Sequence, residues 1–379
     1  MNFDIPRVFI EELINNFDLY NKKYKLEKDE NLNKIFKNIK DNYISSWRRS
    51  EAIFEFKENY FSSSLLKILL DIASNEEINK GVVGGWKFKN HLTNYFSVLE
   101  NPMGAKIKDL KVLPQALKEY IKSSPHKYLF KISEEGISML PYYVSHCKYN
   151  PAAKGNYTFI PESVTVNLSY IKGNKNHNAT IEFYNYDISA GGKEVNVLLK
   201  SKDFYLETEE IYQNYINELN LYKEYSSKYG EQFLGKGKVL TENSWRSSII
   251  YLNDEGESIK LVMDDFEQKE KFKVIENNYW QEETEYIIPP FHPYVRCFNL
   301  KDHYYLITHI NNITPYIYNS KLGEKLILPE ENKNLIDVLT QSSATSIDDI
   351  IIGKTGGVIV LSLGLPGTGK TLTAEIYSE

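Results

Sequence analysis

The chain holds only two cysteines, Cys147 and Cys297, far apart and without C-x-x-C spacing. That argues against a disulfide framework or a zinc site and fits a reducing compartment. No apolar run approaches the roughly 18–20 residues that a membrane helix needs. The start, Met1-Asn-Phe-Asp-Ile-Pro-Arg7, lacks the basic stretch and apolar core of a signal peptide, so a cytoplasmic location is expected. Positive charge is short as well. Lysine and arginine together number 45 against 51 acidic residues, a net charge of −6. This balance gives no electrostatic case for nucleic acid or an anionic membrane. Internal repeats and low-complexity linkers are absent. The seven histidines form no metal set, since His303 and His309 share one side of a strand with no third ligand nearby. No Ser–His–Asp or paired-carboxylate arrangement can be argued either.

What is present is ample core material: 42% hydrophobic and 13% aromatic residues over 379 positions, enough for two or three domains. The pattern predicts a multidomain α+β N-terminal region that leads into the start of an α/β domain. Residues 1–125 read as mainly helical. Asp4 is placed to cap a helix with Pro6 in its first turn and Ile10, Leu13, Ile14 and Phe17 on one face. Leu32, Ile35, Phe36, Ile39 and Tyr43 repeat that pattern, as do Leu65, Leu66, Leu69 and Ile72. A shorter helix, Ala116 to Ile121, follows Pro114. Trp47-Arg-Arg49 reads as a solvated helix end.

Residues 126–320 change character, towards antiparallel sheet. Val164, Val166, Leu168 and Tyr170 alternate as a half-buried strand does, and Thr180 to Tyr186 and Glu194 to Leu199 are expected to be further strands. A long helix is capped by Thr208, carries Ile211, Tyr215, Leu219 and Tyr222 on one face, and stops near Gly230. Ser248 to Leu252 and Ile259 to Met263 are expected to pair as a hairpin. Tyr294 to Phe298 and Tyr304 to Ile310 form another, behind the rigid connector Pro289-Pro-Phe-His-Pro293. Gly235-Lys-Gly237 is too short for a nucleotide loop. Asp264-Asp265 reads as a strand exit.

Residues 321–379 carry the chemistry. Gly364-Leu-Pro-Gly-Thr-Gly-Lys-Thr371 matches the phosphate-loop pattern G-x-x-x-x-G-K-T. The apolar run Val358 to Leu363 before it predicts a strand buried in a parallel sheet. Thr371 to Glu379, free of Gly and Pro, predicts a helix with Leu372 and Ile376 on one face. Gly364, Gly367 and Gly369 permit backbone angles that let the chain approach a phosphate. Amides from Thr368 to Leu372 point at one spot, where the helix dipole also favours negative charge. Pro366 stiffens the loop, Lys370 meets the β- and γ-phosphates of ATP, and the Thr371 hydroxyl ligates Mg²⁺.

The string Gly364 to Glu375 resembles the phosphate loop of the AAA family of ATPases, with Leu365 in place of the usual first proline. Asp349-Ile-Ile-Ile-Gly-Lys-Thr-Gly-Gly357 and Leu328-Pro-Glu-Glu-Asn-Lys-Asn-Leu-Ile336 are similar to the lead-in of one bacterial and fungal branch, with Thr355 where that branch has glycine. The resemblance implies an AAA module beginning at about residue 321, with Ile350 to Gly353 near the adenine. It also implies a ring-shaped homo-oligomer. The Walker B strand, sensor asparagine and arginine fingers of that family lie C-terminal to the loop, so the catalytic residues are expected outside this chain. The chain is then a fragment of a longer protein or a degenerate nucleotide-binding remnant. The leading expectation is an ATP-driven remodelling enzyme with a protein target. The alternative is an interaction protein with a vestigial nucleotide-binding end; a nucleic-acid-directed ATPase is a third.

Overall fold

The computed structural model describes residues 2–24, 36–37, 40–41, 52–57, 61–154, 159–173, 175–188, 191–241, 249–252, 258–264, 274–277, 279–280, 285–342 and 360–378. Two compact units divide the chain, 1–314 and 315–379.

The first unit opens on a short ribbon in which Asn2–Pro6 pairs antiparallel with Ile53–Lys57. Asp4 therefore sits in a strand, its carboxylate on the Lys111 ammonium, and does not cap the following helix Arg7–Asn15. Pro6 precedes that helix because its missing N–H and fixed φ suit a helix start. Ile10, Leu13 and Phe17 are buried as their spacing predicts. Most of the face Leu32 to Tyr43 lies outside the described residues, as does Trp47-Arg-Arg49. In Ser63–Ser74, Ser62 Oγ accepts from Leu65 N–H at 3.2 Å, and Leu65, Leu66, Leu69 and Ile72 are buried. Gly85–Glu100 and Leu113–Lys122 complete the helical layer.

A five-stranded antiparallel sheet follows, in the order Phe204–Leu206, Tyr128–Ile132, Met139–Asn150, Ser163–Lys172, Lys175–Tyr184. Val164, Val166 and Leu168 point inward. One continuous core joins them to the helices, running from Phe9, Leu69 and Leu117 to Val144, Val166 and Phe183. The boundary expected at residue 125 thus does not separate two cores. The strand expected over Glu194 to Leu199 is a helix instead, Val195–Lys200. Val195, Leu198 and Leu199 are buried, which is i, i+3, i+4 spacing; in so short an apolar run both periods fit.

The long helix Glu209–Ser226 is capped by Thr208 Oγ1, which accepts from Ile211 N–H. It leads to a seven-stranded sheet ordered Ile249–Tyr251, Lys238–Thr241, Tyr304–His309, Tyr294–Asn299, Ile259–Met263, Gln232–Gly235, Ile313–Pro315. The expected hairpin of the last pair, Tyr294–Asn299 with Tyr304–His309, forms. The one expected between Ser248–Leu252 and Ile259–Met263 does not. Ile249–Tyr251 pairs with Lys238–Leu240, and Ile259–Met263 lies between Gln232–Gly235 and Tyr294–Asn299. The sheet must curl. Gln232–Gly235 and Lys238–Thr241 stand four strand positions apart, about 19 Å in a flat sheet. Yet Lys236 and Gly237 alone link them, a reach of about 10 Å. Gly237 takes φ +81°, and Lys236 N–H and Lys238 C=O are both bonded to Asn312, fastening the corner. This curled sheet encloses its own core of Phe233, Val239, Leu261, Met263, Val295 and Leu306.

The second unit contains the helices Glu330–Ser342 and Lys370–Ser378 and the 3₁₀ segment Ser320–Lys325. None of its described side chains is buried.

Candidate phosphate-binding site

Local chain geometry assembles the loop. Gly367 and Gly369 take φ +81° and +78°, values that side-chain-bearing residues rarely adopt. A Cβ at either would meet nothing within 4 Å, so glycine serves the backbone angle here and not a close approach. The helix Lys370–Ser378 begins immediately after. Its first intrahelical bond runs from Thr373 N–H to Gly369 C=O at 2.8 Å. The preceding amides of Lys370, Thr371 and Leu372 make no hydrogen bond among the described residues, the usual state of a helix's first turn.

Lys370 folds back over the loop. Its Nζ donates to the carbonyls of Gly364 at 3.0 Å and Leu365 at 2.8 Å. Thr368 Oγ1 also donates to Leu365 C=O, at 2.8 Å. Pro366 lies in the turn that carries the chain from Leu365 to Gly367, and Thr371 and Leu372 are exposed in the helix's first turn. The eight residues named from the sequence are therefore one continuous feature: open amides, one ammonium and one free hydroxyl in the space of a few residues. That donor set suits a di- or triphosphate, and the Thr371 hydroxyl suits a hard cation bridging to it.

The flanks depart from expectation on one side. Val358 and Ile359 lie outside the described residues, as does the whole segment Asp349 to Gly357 with its expected adenine contacts. Val360, Leu361 and Leu363 are not in a strand and are 54%, 80% and 84% exposed. A strand buried on both faces needs neighbouring strands and covering helices, and residues 316–378 contain no other strand among those described. On the helical side, Tyr377 Oη donates to Asp337 at 2.8 Å, which ties the helix Lys370–Ser378 to Glu330–Ser342.

Other sequence candidates resolve into structure. Asp264 leaves the strand Ile259–Met263 and pairs with Arg296 at 3.2 Å, as a strand exit; Asp265 lies outside the described residues. Cys147 and Cys297 are both buried and free. His303 stands in a turn with φ +59°, whereas His309 is fully buried, so they do not share a strand face. No group of three metal-ligating side chains exists among the described residues. His309 deserves a chemical reading because its Nε2 lies 2.9 Å from Ser138 Oγ. Its Nδ1 accepts from Asn311 N–H, so Nε2 carries the proton and cannot activate the serine as a base.

The sequence reading missed one pair, His91 and Asp109, whose Nδ1 and Oδ2 lie 2.6 Å apart. They are eighteen residues apart, in a helix and in the loop after a two-residue strand, and no spacing rule connects them. Among the described residues no helix is long and apolar enough to cross a membrane. Comparison with family models, with curated proteins and with solved structures finds no match.

Proposed function

We propose that residues 364–372 are the phosphate-binding loop of an AAA-type ATPase that uses ATP to remodel a macromolecular target. The observation that carries this reading is the conjunction at one turn: two left-handed glycines, a helix start with unpaired amides, and Lys370 folded over the loop. Bound Mg·ATP would supply the γ-phosphate whose cleavage drives such a machine. The chain's own residues have narrower tasks. Amides of Lys370, Thr371 and Leu372 receive phosphate oxygens, and Gly367 and Gly369 hold the backbone that aims them. The Lys370 ammonium exchanges its carbonyl partners for phosphate oxygens. The Thr371 hydroxyl is a ligand for Mg²⁺. A cytoplasmic location, a homo-oligomeric ring and a protein target belong to the same proposal, and rest on the sequence resemblance.

A second reading has one observation in its favour. Val360, Leu361 and Leu363 are exposed and no strand lies beside them among the described residues, as expected of an interaction protein with a vestigial nucleotide-binding end.

Calorimetric titration with ATP and Mg²⁺ decides between them. We expect Lys370→Ala to weaken binding by roughly 10–100-fold, the worth of a lost charge-assisted hydrogen bond. Equal affinity before and after the substitution would overturn the assignment of the lysine. No ATP binding by the unaltered chain would favour the vestigial reading.

A further inference from the structure

The helix Gly85–Glu100 carries a polar stripe at Lys87, Asn90, His91, Asn94 and Ser97, spaced as one helical face. This stripe looks onto a walled groove of about 820 Å³, within the range of small-molecule sites. The opposite wall is the segment Lys106 to Asp109. Asn94 fastens it to the helix, its Nδ2 donating to Lys106 C=O at 2.7 Å and its Oδ1 accepting from Lys108 N–H at 3.0 Å. Ile107 between them is fully buried, so Lys106 and Lys108 are turned the other way and both line the groove.

The electrostatics are one-sided. Three lysines line the groove, Lys87, Lys106 and Lys108, and none forms an ion pair with a described carboxylate. Asp109 is the sole acidic residue in the lining. It is already engaged, accepting from His91 through Oδ2 and from Lys111 N–H through Oδ1 at 2.9 Å. Burial would raise the Asp109 pKa, but the bonds to His91 and to Lys111 outweigh it and hold the carboxyl below its ordinary range. An ionised Asp109 accepts only, so His91 Nδ1 carries a proton and donates to it. Nε2 has no partner among the described residues, although the His91 side chain is only 7% exposed.

We infer that this groove is an anion site for a small phosphate-bearing molecule, independent of residues 364–372. Lys87, Lys106 and Lys108 neutralise the phosphate. His91, oriented by Asp109, offers the otherwise unpartnered Nε2 as a polar contact, and Asn90 and Ser97, whose side chains have no hydrogen-bond partner among the described residues, are placed to bind its hydroxyls. In a chain of net charge −6, three adjacent free ammoniums repel one another, and a bound dianion relieves that repulsion.

The test uses the full chain carrying Lys370→Ala, which weakens the phosphate loop, with pyrophosphate as probe; the groove substitutions then report on the groove alone. Calorimetry at fixed ionic strength is expected to show saturable one-to-one binding. Adding Lys106→Gln and Lys108→Gln, both exposed and neutral to folding, is expected to weaken it at least about tenfold. Lysine acetylation mapped by mass spectrometry gives a readout free of groove substitutions: pyrophosphate should protect Lys106 and Lys108 selectively. Absence of binding, affinity indifferent to the two substitutions, or uniform acetylation would each overturn the inference.

Discussion

At the scale of single residues, glycines of similar φ do different work. Gly369 at +78° and Gly136 at +78° both stand in open space, so replacing either by alanine adds only the left-handed backbone cost, about 1–2 kcal/mol. Gly369 aims amides in a segment that buries no described side chain. Gly136 turns the Tyr128–Ile132 to Met139–Asn150 hairpin, whose strands carry the buried Phe130 and Val144. Gly369→Ala is therefore expected to weaken ATP binding roughly tenfold without moving the unfolding midpoint. Gly136→Ala is expected to lower the midpoint and leave ATP affinity alone. A thermal melt and a nucleotide titration on both variants check the reciprocity. The proposed phosphate loop is legible in the sequence because the whole motif lies within eight consecutive residues. His91 and Asp109 are not, because their meeting depends on Asn94 pinning a strand to a helix.

At the scale of elements, the sequence predicted single segments better than their partners. Thr208 and its helix came out as expected because capping and a helical face are local. The strand Ile259–Met263 was correctly placed, yet its neighbours come from Gln232–Gly235 and Tyr294–Asn299, set by the curl of the sheet and by no turn signal. Where helix Glu209–Ser226 meets this sheet, burial pushes the Glu218 carboxyl up to about 7, although Asn311 Nδ2 donates to it at 2.7 Å. Its Oε2 lies 3.7 Å from His309 Nε2, and burial pushes that imidazole down to about 4. A carboxyl raised from 4.5 to about 7 binds more protons folded than unfolded across that window. Its stabilising contribution is complete below about pH 4.5 and is lost as pH rises through about 7. Glu218→Gln removes this loss. We expect the variant to exceed the parent in stability at pH 8 by about 1–2 kcal/mol after solvent screening, with the gap closing towards pH 4. Urea unfolding at the two pH values measures it, and the His309 contribution cancels because both proteins carry it. A constant gap, or a gap of opposite sign, would remove Glu218 from the account.

At the scale of the whole molecule, stability and the proposed nucleotide chemistry reside in different stretches of chain. Among the described residues every buried core residue lies between Phe3 and Ile313, and 315–378 contributes none. The apolar stripes of residues 1–125 were visible in sequence, but a stripe does not say what covers it, so the shared core with the first sheet was not. The last strand of the curled sheet, Ile313–Pro315, sets the shortest chain that keeps the cores whole. A protein ending at residue 319 is accordingly expected to unfold in urea with the midpoint of the full chain. Its m-value should be nearly the same, because m follows the area buried on folding and the described side chains of 320–378 include no buried one. The same shortened protein should lose ATP binding altogether while still binding pyrophosphate at the groove beside His91. That pair of results would separate the two phosphate sites physically. A large fall in midpoint would instead mean that residues 320–379 support the cores, and the division of labour would fail.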